Sequence, residues 1–193
     1  MTDTSKQISH EISDWLGDIV ALESHVEEVM DHQLKLESGN PQLDAALKRF
    51  HDTVRDSKHR AEAYLKQYGS TAGNPVIKAG ATLLGKAAGV IDKMRHDSVT
   101  KSIRDDYTAY NHVTIAYTIL HTTAMALDDQ ATMAFAEQGM RTYAGLVQDV
   151  NHIIPEAVVH DLKAGEHAPV INDNVVNDCR ATIDDVWKST ANA

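Results

Sequence analysis

Apolar residues in this chain return every three or four positions over long stretches, a period that suits helices and little else. Across residues 3–36, Ile8, Ile12, Trp15, Leu16, Ile19, Val26 and Met30 fall on one face, with His25, Glu28 and His32 opposite. Residues 41–68 repeat the pattern with Leu43, Leu47, Phe50, Val54, Ala61 and Leu65. Residues 98–127 carry it through Ile103, Tyr110, Val113, Tyr117, Leu120 and Ala124. A fourth stripe follows Asp128-Asp129: Ala136, Met140, Tyr143, Val147, Val150 and Ile154. Pro155 is expected to end or kink that helix, because proline lacks the amide hydrogen a helix interior needs. With only 4 Pro and 10 Gly in 193 residues, little else interrupts the helical runs.

The punctuation between stripes sets their order in space. Gly39 stands where a helix C-cap belongs, and Asn40-Pro41 reads as an N-cap followed by a first-turn proline. So short a link makes the first two helices antiparallel neighbours, and Asp128-Asp129 does the same for the third and fourth. Between the two pairs, residues 69–97 open with Gly69-Ser70-Thr71-Ala72-Gly73-Asn74-Pro75. Val76, Leu83, Leu84, Ala87, Ile91 and Met94 then recur among small residues. This predicts a crossover helix over about 75–96 lying on the bundle, with membrane-surface or oligomer contact as the rival reading. Short, long, short connections define a ferritin-like four-helix bundle over about 3–155. A further helix over about 172–188 places Val175, Cys179, Ile183 and Val186 on one face, expected to pack on the bundle. The chain therefore reads as one all-α domain, residues 1–193.

Composition narrows the setting. No apolar run reaches the roughly 18 residues that span a bilayer. The polar start, Met1, Thr2, Asp3 and Thr4, lacks the apolar core of a signal peptide. A single cysteine, Cys179, excludes an intramolecular disulfide framework and points to the cytoplasm; on its apolar face an inert packed thiol is expected. A net charge of -10 disfavours nucleic-acid binding, which needs clustered Lys and Arg. Gly-rich phosphate loops, Gly-x-Ser-x-Gly elbows and zinc-type Cys pairs are all missing from the sequence.

A di-metal site in such a bundle takes one Glu from each of two helices and a Glu-x-x-His pair from each of the others, all facing inward. Only metal charge makes the burial of so many carboxylates tolerable. Glu23 meets the facing requirement, lying between Ile19 and Val26. Asp56 and His59 have the spacing of a ligand pair but turn away from Phe50, Val54 and Ala61. The third stripe holds Asp106, Tyr107, Tyr110, Thr114, Tyr117 and His121, which read either as a satisfied polar network or, with Glu23, as a metal or proton-handling site. On the fourth helix Glu137 and Arg141 leave the stripe, which contains neither carboxylate nor histidine.

The segments Asp18-Ile19-Val20-Ala21-Leu22-Glu23, Tyr110-Asn111-His112-Val113-Thr114-Ile115-Ala116-Tyr117 and Leu120-His121-Thr122-Thr123-Ala124-Met125-Ala126-Leu127 resemble the bacterial YciE/YciF-type ferritin-like proteins. The likeness covers about residues 10–155. It implies a ferritin-like four-helix protein associated with stress responses, in a family that often carries a di-metal centre of iron or manganese. Carried over by position, Glu23 takes the first-helix ligand place, while the third-helix Glu positions fall on Asn111 and Thr114. Asp56 and His59 alone stand in on the second helix. On the fourth, the ligand-bearing run is replaced by Glu137-Gln138-Gly139-Met140-Arg141-Thr142-Tyr143.

Three functional readings follow. The first is a ferritin-like protein without a complete di-iron centre, acting by binding or assembly as a homo-oligomer rather than as an enzyme. The second is a metal-dependent redox protein of iron or manganese built on Glu23, Asp106 and His121, with Asp56 and His59 as further ligand candidates. The third is a small apolar-ligand carrier with a pocket lined by Trp15, Tyr107, Tyr110 and Tyr117.

Overall fold

The computed structural model describes residues 3–35, 37–68, 98–165 and 167–190, with side chains from residue 10 onward. All regular structure among these residues is helical. Helix α1 spans Asp3–Gln33, α2 Pro41–Leu65, α3 Val99–Ala126, α4 Gln130–Ala164 and α5 Val175–Thr190; a short 3-10 turn, Lys66–Tyr68, prolongs α2. None of the described helices is long and apolar enough to cross a membrane.

The ends are built by local chemistry. Gly39 takes a left-handed φ of 78°, open to glycine at little steric cost. Asn40 Oδ1 then accepts from the amides of Gln42 (2.9 Å) and Leu43 (3.4 Å), and Pro41 fills a first-turn position whose amide needs no partner. Ser98 caps α3 by accepting from Lys101 N, and Asp129 caps α4 by accepting from Thr132 N. Helix α4 runs through Pro155 to Ala164, so the helix does not end there. Pro155 is buried, Ala157 and Val159 beyond it enter the core, and Asp161 ties that end to α3. This burial and anchoring outweigh one missing backbone bond.

Pairwise contacts fix the directions. Helix α1 is antiparallel to α2, since Glu23 meets Ser57 and Asp31 meets His51. It is also antiparallel to α3, where Gln33 meets Asp106, Met30 meets Tyr110 and Glu23 meets Tyr117. Helix α4 opposes α2 through Tyr64–Thr132 and Asn40–Glu156, and opposes α3 through Tyr117–Phe135 and Ser98–Asp161. Helices α2 and α3 therefore run in the same direction. Tyr68 lies beside Asp129 and Ser98 beside Asp161, at opposite ends of α4 and about 48 Å apart along an ideal helix. The chain joining them, with the expected crossover helix at 75–96, lies outside the described residues.

The four long helices enclose one core, in which Leu16, Ile19, Leu43, Phe50, Ile103, Leu120 and Tyr143 are fully or almost fully buried. Each such side chain contributes roughly 1.5–3 kcal/mol by leaving water. Helix α5 is different. It packs on α4 but buries no residue, and Cys179, Val175 and Val186 are exposed. The expected apolar contact face is thus corrected: Val176, Arg180, Ile183 and Asp184 are the half-buried positions. Arg180 Nε donates to the His152 carbonyl (2.7 Å), and His152 Nε2 meets Asp184 Oδ1 at 2.8 Å. Cys179 is a solvent-facing thiol, not a packed one.

Candidate functional site

The stripe of α1 carries Glu23 into the middle of the core, where it is 0% exposed. Three other helices meet it there. Ser57 Oγ on α2 donates to Glu23 Oε1 at 2.7 Å, and Tyr117 Oη on α3 donates to the same oxygen at 2.9 Å. Tyr143 Oη on α4 faces the carboxyl and helps to hold its charge. Yet Tyr143 Oη and Glu23 Oε2 each lack a hydrogen bond of good geometry.

Burial pushes the Glu23 carboxyl up to about 7, against the pull of the Ser57, Tyr117 and Tyr143 hydroxyls and the Arg60 charge. The same burial, reinforced by the Glu23 charge, raises the phenols of Tyr117 and Tyr143. At neutral pH the cluster is thus one carboxyl divided between its two protonation states, among hydroxyls that keep their protons. When protonated, Glu23 becomes a donor as well as an acceptor.

Gly139 makes the arrangement possible. A Cβ at this α4 position would lie 2.3 Å from Tyr117 Cε1, so the bare backbone admits the phenol ring that reaches Glu23. Tyr143 stacks beside Tyr117, with ring centroids 6.1 Å apart.

The other sequence candidates lie elsewhere. Asp106 is buried but accepts from Gln33 Nε2 at 2.8 Å, ten residues and about 15 Å along α1 from Glu23. His121 is half-buried and lies towards Glu137 of α4 rather than towards Glu23. Glu23, Asp106 and His121 therefore do not form one site. Asp56 and His59 are exposed, with Asp56 paired to Arg55. Asn111 and Thr114 bond back to the Tyr107 and Tyr110 carbonyls of their own helix. Tyr110 and Tyr117 are packed solid, whereas Trp15 and Tyr107 are half-buried. Two clefts, of about 390 and 210 Å³, flank α5 and contain none of these four aromatics.

Ser57, Gly139 and Tyr143 are the site residues that sequence reasoning did not single out. Ser57 is flanked by Asp56, Lys58 and His59, which draw attention from it, although its stripe position between Val54 and Ala61 was visible. Tyr143 stood in the α4 stripe as a core residue; its need for a polar partner was the available signal.

A di-metal centre does not fit these residues. Two divalent cations require several anionic oxygens and imidazoles, and the Glu23 layer offers one carboxyl beside three hydroxyls. Among the described residues, no three His, Cys, Asp or Glu side chains converge where they could hold a metal ion.

Residues 9–163 match a family described as a domain of unknown function, DUF892. The chain belongs to the DUF892 family. The match takes in α4 almost to its end and leaves α5 outside. No curated protein and no solved structure matches the chain.

Proposed function

We propose that this DUF892 protein is a ferritin-like four-helix bundle whose interior holds a carboxyl–hydroxyl cluster in place of a di-metal centre, and that it acts by binding or assembly. The composition of the Glu23 layer carries this reading: a serine and two tyrosines stand where metal chemistry would need carboxylates and imidazoles. The parallel course of α2 and α3 supports the ferritin-like topology, since a connection between them must return along the bundle. The resemblance to YciE/YciF-type proteins adds a stress-associated, bacterial and cytoplasmic setting.

Assembly draws support from the outer faces of the long helices. Ile115 is 57% exposed and Met125 56%, and Ile119, Val158 and Leu162 are exposed as well. Exposed apolar side chains on long helices are material for subunit contacts, and Ile115 and Ile119 lie one turn apart on α3. Light scattering on the purified chain tests this. The reading expects particles of two or more chains, with Ile115→Asp shifting the mass towards the monomer. A monomer at every accessible concentration contradicts it.

A further inference from the structure

Aromatic rings form an unbroken file through the core. Phe50 meets Tyr110 with centroids 6.2 Å apart, Tyr110 meets Tyr143 at 6.1 Å, and Tyr143 meets Tyr117 at 6.1 Å. Tyr117 meets Phe135 at 6.0 Å, Phe135 stacks on Tyr64 at 4.2 Å with planes 5° apart, and Tyr64 meets Tyr68 at 5.8 Å. Packing alone accounts for rings in contact. It does not require that a phenol at each end of the stretch from Tyr117 to Tyr68 point its hydroxyl at a carboxylate. Tyr117 Oη donates to Glu23 Oε1 at 2.9 Å, and Tyr68 Oη donates to Asp129 Oδ2 at 2.9 Å.

That pairing has a chemical consequence. A phenol that loses one electron becomes a strong acid, so it is oxidised readily only where a base takes the proton in the same event. Glu23 is such a base in its ionised form, and its Oε1 already accepts from the Tyr117 hydroxyl at 2.9 Å. Tyr68 is half-buried at the end of the file, whereas Tyr117 is sealed inside it.

We propose that Tyr68, Tyr64, Phe135 and Tyr117 form a relay that donates single electrons to radical oxidants of the peroxyl class and leaves the oxidising equivalent on Tyr117. The oxidant takes one electron at Tyr68, whose proton passes to Asp129. An electron then moves outward from Tyr117 through Phe135 and Tyr64, and Tyr68 regains its proton from Asp129. The Tyr117 O–H bond breaks as its proton forms a new O–H bond on Glu23. In sum, Tyr117 becomes a neutral phenoxyl radical, Glu23 becomes a carboxylic acid, and the peroxyl radical becomes a hydroperoxide anion that takes its proton from water. The low-dielectric interior favours this product because it carries no charge. The groups facing Glu23 are Ser57 from α2, Tyr117 from α3 and Tyr143 from α4, with the charge of the exposed Arg60 on α2 acting from farther off.

The test uses the full chain in mildly alkaline buffer, with photogenerated tris-bipyridyl ruthenium(III) as the one-electron oxidant and freeze-quenched electron paramagnetic resonance as the readout. A persistent neutral tyrosyl signal is expected in the wild type. Tyr117→Phe and Glu23→Gln should lose it. Tyr68→Phe, which leaves the sealed core intact, should slow its appearance. Trp187, 46% exposed on α5, would give a distinct indolyl spectrum. A tyrosyl signal of unchanged yield and lifetime in Tyr117→Phe or Glu23→Gln overturns the proposal, as does unchanged formation in Tyr68→Phe.

Discussion

Gly139 and Tyr117 occupy one space: the phenol ring lies where the glycine's side chain would begin, 2.3 Å from an added Cβ. In an open helix position, replacing Gly by Ala stabilises by roughly 0.5–1 kcal/mol. Gly145, on the same helix with nothing within 4 Å of an added Cβ, should show that gain. Gly139→Ala should reverse the sign and cost about 1–3 kcal/mol, because the ring is hemmed in on its other sides and bonded to Glu23. Urea midpoints of the two variants measure the contrast.

Glu23 should make the protein less stable as pH rises. Its carboxyl is raised from 4.5 to about 7 by burial, so between those values the folded state holds a proton that the unfolded state releases. This advantage is complete below 4.5 and lost as pH climbs through 7. The difference amounts to on the order of 3 kcal/mol. Denaturation midpoints across this window should fall in the wild type and stay flatter in Glu23→Gln, which keeps an oxygen for Ser57 and Tyr117 but does not titrate.

Asp161 ties the end of α4 to the start of α3, accepting from Ser98 Oγ at 2.6 Å and Thr100 N at 3.0 Å. Burial works against its charge, but the Ser98 and Thr100 donors prevail and hold the carboxyl below its usual range. Its contribution is therefore present above the ordinary aspartate range and lost as pH falls through the lowered value. Asp161→Ala should cost about 1–2 kcal/mol near neutrality, with a smaller loss in strong acid. Thermal melts at the two pH values check both parts.

Helix α5 should be dispensable for folding. It buries no residue and is held to α4 largely by exposed polar contacts centred on His152. Contacts of that kind contribute about 0–1 kcal/mol each. A chain ending at Gly165 should therefore unfold cooperatively within about 2 kcal/mol of the full chain. Loss of cooperative unfolding in calorimetry would show that α5 belongs to the core.

The helices and their inward faces were legible because a period of 3.6 records which side meets the core; Glu23 stood out as a charge inside such a stripe. The helix end was legible where a cap residue marks it, as at Asn40. That α4 continues past Pro155 was not legible, because the local cost of proline is visible in sequence whereas the burial of Ala157 and Val159 that outweighs it is not. On α5 the apolar stripe identified an amphipathic helix but not which face the polar contacts of His152 would select. The Glu23 cluster was half legible: periodicity places Tyr117 and Tyr143 inward but carries no register between helices. The register, together with the empty side-chain position of Gly139, decides which hydroxyls reach the carboxyl and leaves Asp106 and His121 apart from it.

The most direct measurement is metal content by plasma mass spectrometry, on protein purified without chelator or metal-affinity resin and supplied with iron and manganese during growth. A carboxyl–hydroxyl cluster at Glu23 predicts far less than one transition-metal ion per chain, unchanged in Glu23→Gln. Two iron or manganese ions per chain, lost in Glu23→Gln, would contradict the account and make the helical core a metal centre.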